Sequence, residues 1–455
     1  MRNWDGARVA AAAGARVHAA AGADTGPSRV SIDSRLVRAG DLFVGIPGAR
    51  ADGGAHAAAA LSAGAWGVLV EPRWVEAAAS AGGVVLEAAD PVAALGRLAR
   101  AWRRELGAAV IAVTGSVGKT STKDLIAALI RPHRTVAASR ANFNTEIGLP
   151  LELLAAEAGT EVLVLELAMR DFGQIAELAA ICEPDVGVIT NVAAVHLEQV
   201  GSLEGVARAK GELLVALRAG AIAVVPAGES RLEPWLRDEL ERVTFGPGGD
   251  VDWEPDAAGR TVRTPAGPFE LELPFTQRHQ RLNALAAVAA AMALGVRPGG
   301  RVDVAFSAMR GERLQLPGGA LLINDCYNAN PLSMRAALDD LAAQDTAARR
   351  VAVLGDMLEL GSEEQRLHRE VGAHAQSSGV DLLFTVGPRA RVMAEAFGGA
   401  THAAVDADQA AHVLAGELRA GDVVLVKGSR GIGLERVAER LGAGSGGLAT
   451  QAGGA

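Results

Sequence analysis

The chain has 455 residues, room for about three domains of typical size. Its 49% hydrophobic and 21% charged composition excludes a disordered chain or a coiled coil, and with 4% aromatic residues the cores must be built from Ala, Val and Leu. A formal charge of −9 argues against nucleic acid or an acidic membrane surface as partner, but leaves room for a phosphorylated small molecule held by a local loop.

The amino terminus is alanine-rich, but Asp5, Arg8, Arg16 and His18 interrupt it, so no secretory signal is expected. Residues 1–88 lack a phosphate-loop pattern and read as a small α/β unit. From about Gly107 onward, β-branched runs at 110–114, 162–166, 186–191, 222–226, 321–325, 351–354, 382–386 and 423–427 alternate with Ala/Leu-rich helical stretches. Continuous apolar runs predict strands covered by helices on both faces, and hence parallel α/β sheets. Residues 261–273 differ: a Thr-Pro-Ala-Gly-Pro turn and Phe-Glu-Leu-Glu-Leu alternation predict an antiparallel hairpin added to the central sheet. The uncharged stretch at 282–296 is shorter than the ~20 apolar residues of a membrane span. A Gly/Pro-bearing connection at 310–317 predicts a second domain break and a hinge. The small, polar residues 442–455 predict a disordered tail. The division is therefore 1–88, 89–312 and 313–441, with no internal repeat. Two cysteines, Cys182 and Cys326, make no disulfide framework, so a reducing cytoplasm is the expected compartment.

The chemistry is most legible at Val110-Ile-Ala-Val-Thr-Gly-Ser-Val-Gly-Lys-Thr-Ser-Thr122, a strand feeding a glycine loop that opens a helix. Gly115 and Gly118 let backbone amides approach a phosphate, with the helix N-terminus adding partial positive charge. Lys119 supplies charge to the β/γ-phosphates, and the Thr120 hydroxyl is placed for Mg²⁺. Val113 stands where the general phosphate-loop pattern has its first Gly. The motif points to ATP. Further strands end near Glu166, near Asn191 with His196 just beyond, and at Asp325, which places these groups at the rim where parallel sheets bind ligands. A carboxylate, an imidazole and a hydroxyl there suit Mg²⁺ during phosphoryl transfer. Taken singly, Glu166 reads equally as a structural carboxylate, His196 as a satisfied polar residue and Lys210 as a solvated lysine.

In combination these segments resemble the Mur ligase family, the ATP-dependent amide ligases of peptidoglycan precursor synthesis. The resemblance runs from about Ser31 to Arg430. It rests on Ser-Ile-Asp-Ser-Arg35 with Gly40-Asp-Leu-Phe43, on Thr114-Gly-Ser-Val-Gly-Lys-Thr120, and on Ala-Lys210-Gly-Glu. Asn142-Phe-Asn-Thr-Glu-Ile-Gly148, Tyr327-Asn-Ala-Asn-Pro331, Gly355-Asp-Met-Leu-Glu-Leu-Gly361 and Val426-Lys-Gly-Ser-Arg430 are similar to the branch that couples D-alanyl-D-alanine to a UDP-N-acetylmuramoyl-tripeptide. The Asp-Asn-Pro-Arg motif of the diaminopimelate-adding branch is absent from the sequence.

The resemblance implies a small N-terminal substrate domain, a central ATPase-type domain and a Rossmann-like C-terminal ligase domain. It implies that Ser34 and Arg35 belong to the UDP-binding part, and that Thr114, Gly115, Ser116, Val117, Gly118, Lys119 and Thr120 cradle ATP. Asn283 would contact adenine, while Arg313 and Asp325 help hold the nucleotide. Asn142, Asn144, Thr145, Tyr327 and Asn328 would serve the substrates. Thr120, Glu166, His196 and a carbamylated Lys210 would hold Mg²⁺, making Lys119, Lys210 and His196 the catalytic set. Relatives suggest a monomer. One departure lies in the adenine segment, Gln277-Arg-His-Gln-Arg-Leu-Asn283, where Gln277 and Gln280 replace the usual Gly and first Asn. Asn324 likewise stands where many relatives have an Asp.

Overall fold

The computed structural model describes every residue except 2, 21–22, 49–50, 141, 256–258, 346–347 and 443–455, so all but the first residue of the expected tail lies outside the described residues. The first sheet has the order β1-β5-β4-β3-β2, from Arg16–Ala20 (β1), Arg29–Ser31 (β2), Asp41–Val44 (β3), Gly67–Val70 (β4) and Val84–Glu87 (β5). Only β1 runs antiparallel to its neighbour.

The helix Pro91–Leu106 leads out of this sheet, and its ends are written in its sequence. Asp90 caps it by accepting from the Val92 and Ala93 amides, Pro91 occupies the first turn, and left-handed Gly107 ends it. Its buried stripe of Ala94, Leu95, Leu98, Ala99 and Trp102 has the helical spacing that one packed face requires. This stripe belongs to a single core running from Leu42, Leu69 and Leu86 in the first sheet to Val110, Leu163 and Leu165 in the second. The first two sheets are therefore joined by packing as well as by chain.

The second sheet comprises Ala109–Thr114 (β6), Val136–Ala138 (β7), Val162–Glu166 (β8), Val186–Ile189 (β9), Ile222–Pro226 (β10) and Glu241–Phe245 (β11), in the order β11-β10-β9-β6-β8-β7. Every pairing in it is parallel. Alternate residues of β6 face opposite layers, as the pleat demands. Val110 and Ala112 join the core just described. Ile111 and Val113 join a second core with Leu125, Ile126 and the alanine-rich helix Arg278–Ala293. Residues 284–291 of that helix are all buried, which accounts for the apolar stretch in the sequence. No helix among the described residues is long and apolar enough to cross a membrane.

The hairpin forms as expected, from Thr261–Arg263 (β13) paired antiparallel with Phe269–Glu272 (β14). It does not extend the central sheet. With Asp252–Trp253 (β12) and Gly300–Arg301 (β15) it makes a separate four-stranded sheet. The reason lies in its alternation: Val262 and Leu271 supply one apolar face, which packs into the second core. The other face carries charge and suits water rather than a second helical layer.

The third sheet has the order β16-β17-β21-β18-β19-β20, from Glu312–Gln315 (β16), Leu321–Asn324 (β17), Arg350–Gly355 (β18), Leu382–Val386 (β19), Ala400–Ala404 (β20) and Val423–Lys427 (β21). All pairs are parallel except β16 with β17. The hinge expected at 310–317 is thereby corrected. That segment contains β16, paired from Glu312 opposite Asn324 to Gln315 opposite Leu321, and a division at 312/313 falls inside it. The stretch without regular structure is instead 302–311.

Candidate active site

The glycine loop follows β6 at the middle of the parallel sheet, at the carboxyl edge where helix N-termini and open backbone groups meet. Gly118 has φ +82°, and a Cβ there would lie 2.4 Å from Asn283 Oδ1, so only glycine lets the loop pass beneath that amide. The loop is braced by its neighbours. The Ser116 and Val117 amides donate to Asn191 O and Oδ1, and the Thr190 hydroxyl donates to Val117 O. Lys119 Nζ donates to Gly115 O at 2.9 Å, which folds the ammonium back over the loop. Burial pushes its pKa down, with Arg310 adding to the effect and Glu166 opposing it.

Glu166 ends β8 and is held at both oxygens. The Thr120 hydroxyl donates to Oε2 at 2.7 Å and Asn144 Nδ2 to Oε1 at 2.8 Å. Arg310 Nη2 also reaches Thr120 Oγ1 at 3.1 Å, and its guanidinium lies 4.0 Å from the centre of the Tyr327 ring. Arg310 thus links the phosphate loop to the third sheet's site residues.

Lys210 sits on the helix Leu203–Ala216, capped by the Ser202 hydroxyl. It is 2% exposed, which overturns the solvated-lysine reading. Burial lowers its pKa well below the ordinary value, and the charge of Lys119 lowers it further. His196 follows β9 in a left-handed conformation, φ +53°, with Nδ1 against Glu359 Oε2. Burial lowers its pKa despite Glu359, and Lys119 and Lys210 reinforce that shift. Nδ1 faces the carboxylate and is therefore the nitrogen that carries the proton donated to Glu359.

These groups line one cavity of about 1710 Å³. Its walls include Ser116, Val117, Gly118, Lys119, Thr120, Asn142, Asn144, Thr145, Glu166, His196, Lys210 and Asn283, faced by Arg313, Asp325, Tyr327 and Asn328 from the third sheet's side. Thr114 and Gly115 are buried beneath the loop rather than on the wall. Asp325 is paired with Lys427 at 2.6 Å, and Lys427 also donates to Asn328 O. Arg313 lines the cavity with its guanidinium turned onto Asp340 and Gln344. Ser34 and Arg35 are not brought there. They lie in the short turn Ser34–Leu36, where Arg35 is exposed and paired with Asp33. Sequence reasoning passed over Arg310, Glu359 and Asp340. Glu359 stands in a quoted motif, and Asp340 accepts from Gln277 Nε2 at 3.0 Å, tying the adenine-segment departure to the third sheet's helix Pro331–Ala342.

Among the described residues, no three of His, Cys, Asp and Glu converge as a cation cage. Mg²⁺ is commonly held by one or two carboxylates together with substrate phosphates and waters. The Thr120–Glu166 pair beside the phosphate loop fits an ion of that kind arriving with its nucleotide.

Three family models match in order: "Mur ligase family, catalytic domain" at residues 28–103, "Mur ligase middle domain" at 113–291 and "Mur ligase, glutamate ligase domain" at 309–430. A UDP-N-acetylmuramoyl-tripeptide–D-alanyl-D-alanine ligase of Mycobacterium tuberculosis is 37% identical over 467 aligned residues, covering 90% of this chain and 91% of that protein. The chain belongs to the Mur ligase family. Solved Mur ligase structures agree along its length. MurF of Acinetobacter baumannii superposes with a TM-score of 0.84 at 28% identity, covering 96% of this chain and 98% of that one. MurF of Thermotoga maritima in complex with ADP superposes with a TM-score of 0.79 at 30% identity, covering 91% and 96%. The three-domain α/β architecture expected of a Mur ligase is thus present.

Proposed function

We propose that this Mur ligase uses ATP to join D-alanyl-D-alanine to UDP-N-acetylmuramoyl-tripeptide, in the cytoplasm and as a monomer. The observation that carries this reading is the single cavity in which the phosphate loop faces Arg310, Asp325, Tyr327 and Asn328. A carboxylate cannot be attacked directly by an amine, because its leaving group would be oxide. Transfer of the γ-phosphoryl group gives an acyl phosphate, and the amine of the dipeptide then expels phosphate through a tetrahedral intermediate.

In this mechanism Lys119 unfolds from Gly115 O to meet the β/γ-phosphates, and Arg310 stabilises charge on the transferring group from the opposite wall. Gly118, Lys119 and Thr120, where the helix begins, present amides to the phosphates, while the Ser116 and Val117 amides brace the loop on Asn191, and Asn283 lies above Gly118 for the adenine. Asn142, Asn144 and Thr145 border the tripeptide carboxylate; Tyr327 and Asn328 border the dipeptide, while Arg313 and Asp325 are assigned to the nucleotide. Ser34 and Arg35, in the unit 1–88, are assigned to the UDP moiety. Thr120, Glu166 and His196 would hold Mg²⁺, which neutralises phosphate charge when bound. Lys210, once deprotonated, would add CO₂ through a new N–C bond with release of the second amine proton, and the resulting carbamate would be an anionic partner for that ion.

The test is phosphate release from ATP with UDP-N-acetylmuramoyl-tripeptide and either D-alanyl-D-alanine or single amino acids as acceptor. Release that depends on the dipeptide is expected. Release driven by glutamate or diaminopimelate instead, or none with any acceptor, overturns the reading.

A further inference from the structure

The motif Gly355-Asp-Met-Leu-Glu-Leu-Gly361 forms a loop braced by hydrogen bonds from several elements of the C-terminal domain. It leaves the carboxyl end of β18, and each residue is held. Asp356 Oδ1 accepts from the Ala390 amide at 2.7 Å, and Asp356 O accepts from the Ser429 amide at 3.0 Å. The Met357 amide donates to His368 Nε2, and the Leu358 amide to Ser429 Oγ, both at 3.0 Å. Ser429 itself belongs to the motif Val426-Lys-Gly-Ser-Arg430, whose Lys427 pairs with Asp325. The braced loop then puts Glu359 at φ +62°, a left-handed conformation that a non-glycine residue keeps only where its surroundings impose it. Gly361 ends the loop beside Glu198 of the central domain at φ +59°, a left-handed turn that glycine adopts without steric cost.

Glu359 is what this loop delivers across the domain boundary. Its Oε2 meets His196 Nδ1, its Oε1 lies 3.6 Å from Arg170 Nε, and its carbonyl accepts from the Glu198 amide at 3.4 Å. His196 has its backbone fixed as well, at φ +53°. With Nδ1 committed to the carboxylate, Nε2 is the nitrogen left for the cavity that His196 lines. A carboxylate behind a ligating imidazole sets its tautomer and its orientation.

We infer that Glu359 is a positioning residue: it holds the His196 ring for the divalent cation, so that the cation site is complete only when the C-terminal domain is docked. This rests on the reading of His196 as a cation ligand.

The experiment is Mn²⁺ titration of the full chain with a non-hydrolysable ATP analogue, reading free Mn²⁺ by electron paramagnetic resonance, alongside metal-free analogue binding. Glu359→Ala is expected to weaken Mn²⁺ binding about 10- to 100-fold while leaving metal-free analogue binding unchanged. Glu359→Gln, which keeps an oxygen acceptor for Nδ1–H, is expected to restore it. His196→Ala should weaken Mn²⁺ binding at least as much as Glu359→Ala. Wild-type affinity in Glu359→Ala with a weakened His196→Ala overturns the positioning role alone. Wild-type affinity in His196→Ala overturns the ligand reading and the inference with it. Failure of Glu359→Gln to restore binding overturns the tautomer-holding role.

Discussion

Replacing Gly118 by alanine probes how the nucleotide loop and the adenine segment are fitted together. The left-handed backbone at φ +82° costs an L-residue about 1–2 kcal/mol by itself. The new methyl would also lie 2.4 Å from Asn283 Oδ1 and 3.0 Å from its Cγ, about 1 Å short of ordinary contact. Asn283 cannot yield freely, because its Nδ2 donates to Gln280 Oε1 at 3.1 Å inside a buried helix. Crowding of this kind adds about 1–3 kcal/mol. A displacement near 1 Å at a reacting centre costs on the order of 100-fold in rate. Urea denaturation of Gly118→Ala should show a loss of about 2–4 kcal/mol, and ATP-dependent turnover should fall by about two orders of magnitude. In Gly118→Ala/Asn283→Ala the steric part vanishes, and the stability cost of adding the methyl falls back to about 1–2 kcal/mol. Wild-type stability and turnover in Gly118→Ala would refute the close fit. Additive losses in the double variant would show that the two residues do not press on each other.

Lys119→Ala should fold normally and lose ATP turnover, checked by circular dichroism beside phosphate release; an active variant removes this lysine from the phosphate site. Lys210→Ala should be nearly inactive and regain activity with added short carboxylates, which supply the missing anion; activity near wild type without them excludes carbamylation as a requirement. Glu183, which joins the helix Gln174–Cys182 to Arg104 and Arg100, has its pKa lowered to about 2, chiefly by the hydrogen bond from Arg104. The folded state therefore binds its proton less readily than the unfolded chain. The stabilisation is present above about pH 4.5 and disappears as pH falls toward about 2. Glu183→Gln should be less stable at neutral pH, with a shallower loss on acidification in urea titrations; an unchanged slope contradicts the assignment.

What the sequence could disclose was mostly local. The phosphate loop was legible because its glycines, lysine and threonine are adjacent. The parallel strands were legible because strands covered on both faces must be apolar throughout. The hairpin was visible as alternation, but alternation marks one wet face and says nothing about which sheet the other face meets. β16 was hidden because Gly311 and Pro317 flank a four-residue strand, and those punctuation residues dominated the reading. The partners of Arg310 and Glu359, Thr120 and His196, lie 190 and 163 positions away, beyond any spacing rule. Lys210 shows the same limit, since a lysine on a helix reveals its burial only once the neighbouring layers are placed.

The helix Pro91–Leu106 has a practical consequence for anyone who would cut or graft this enzyme. Severing the chain ahead of it would divide the one core that holds Leu42, Leu69 and Leu86 together with Leu95, Leu98 and Trp102, so the first 88 residues are not a detachable cassette. A chimera with a relative should instead be spliced within residues 302–311, where the exchange interrupts no strand or helix.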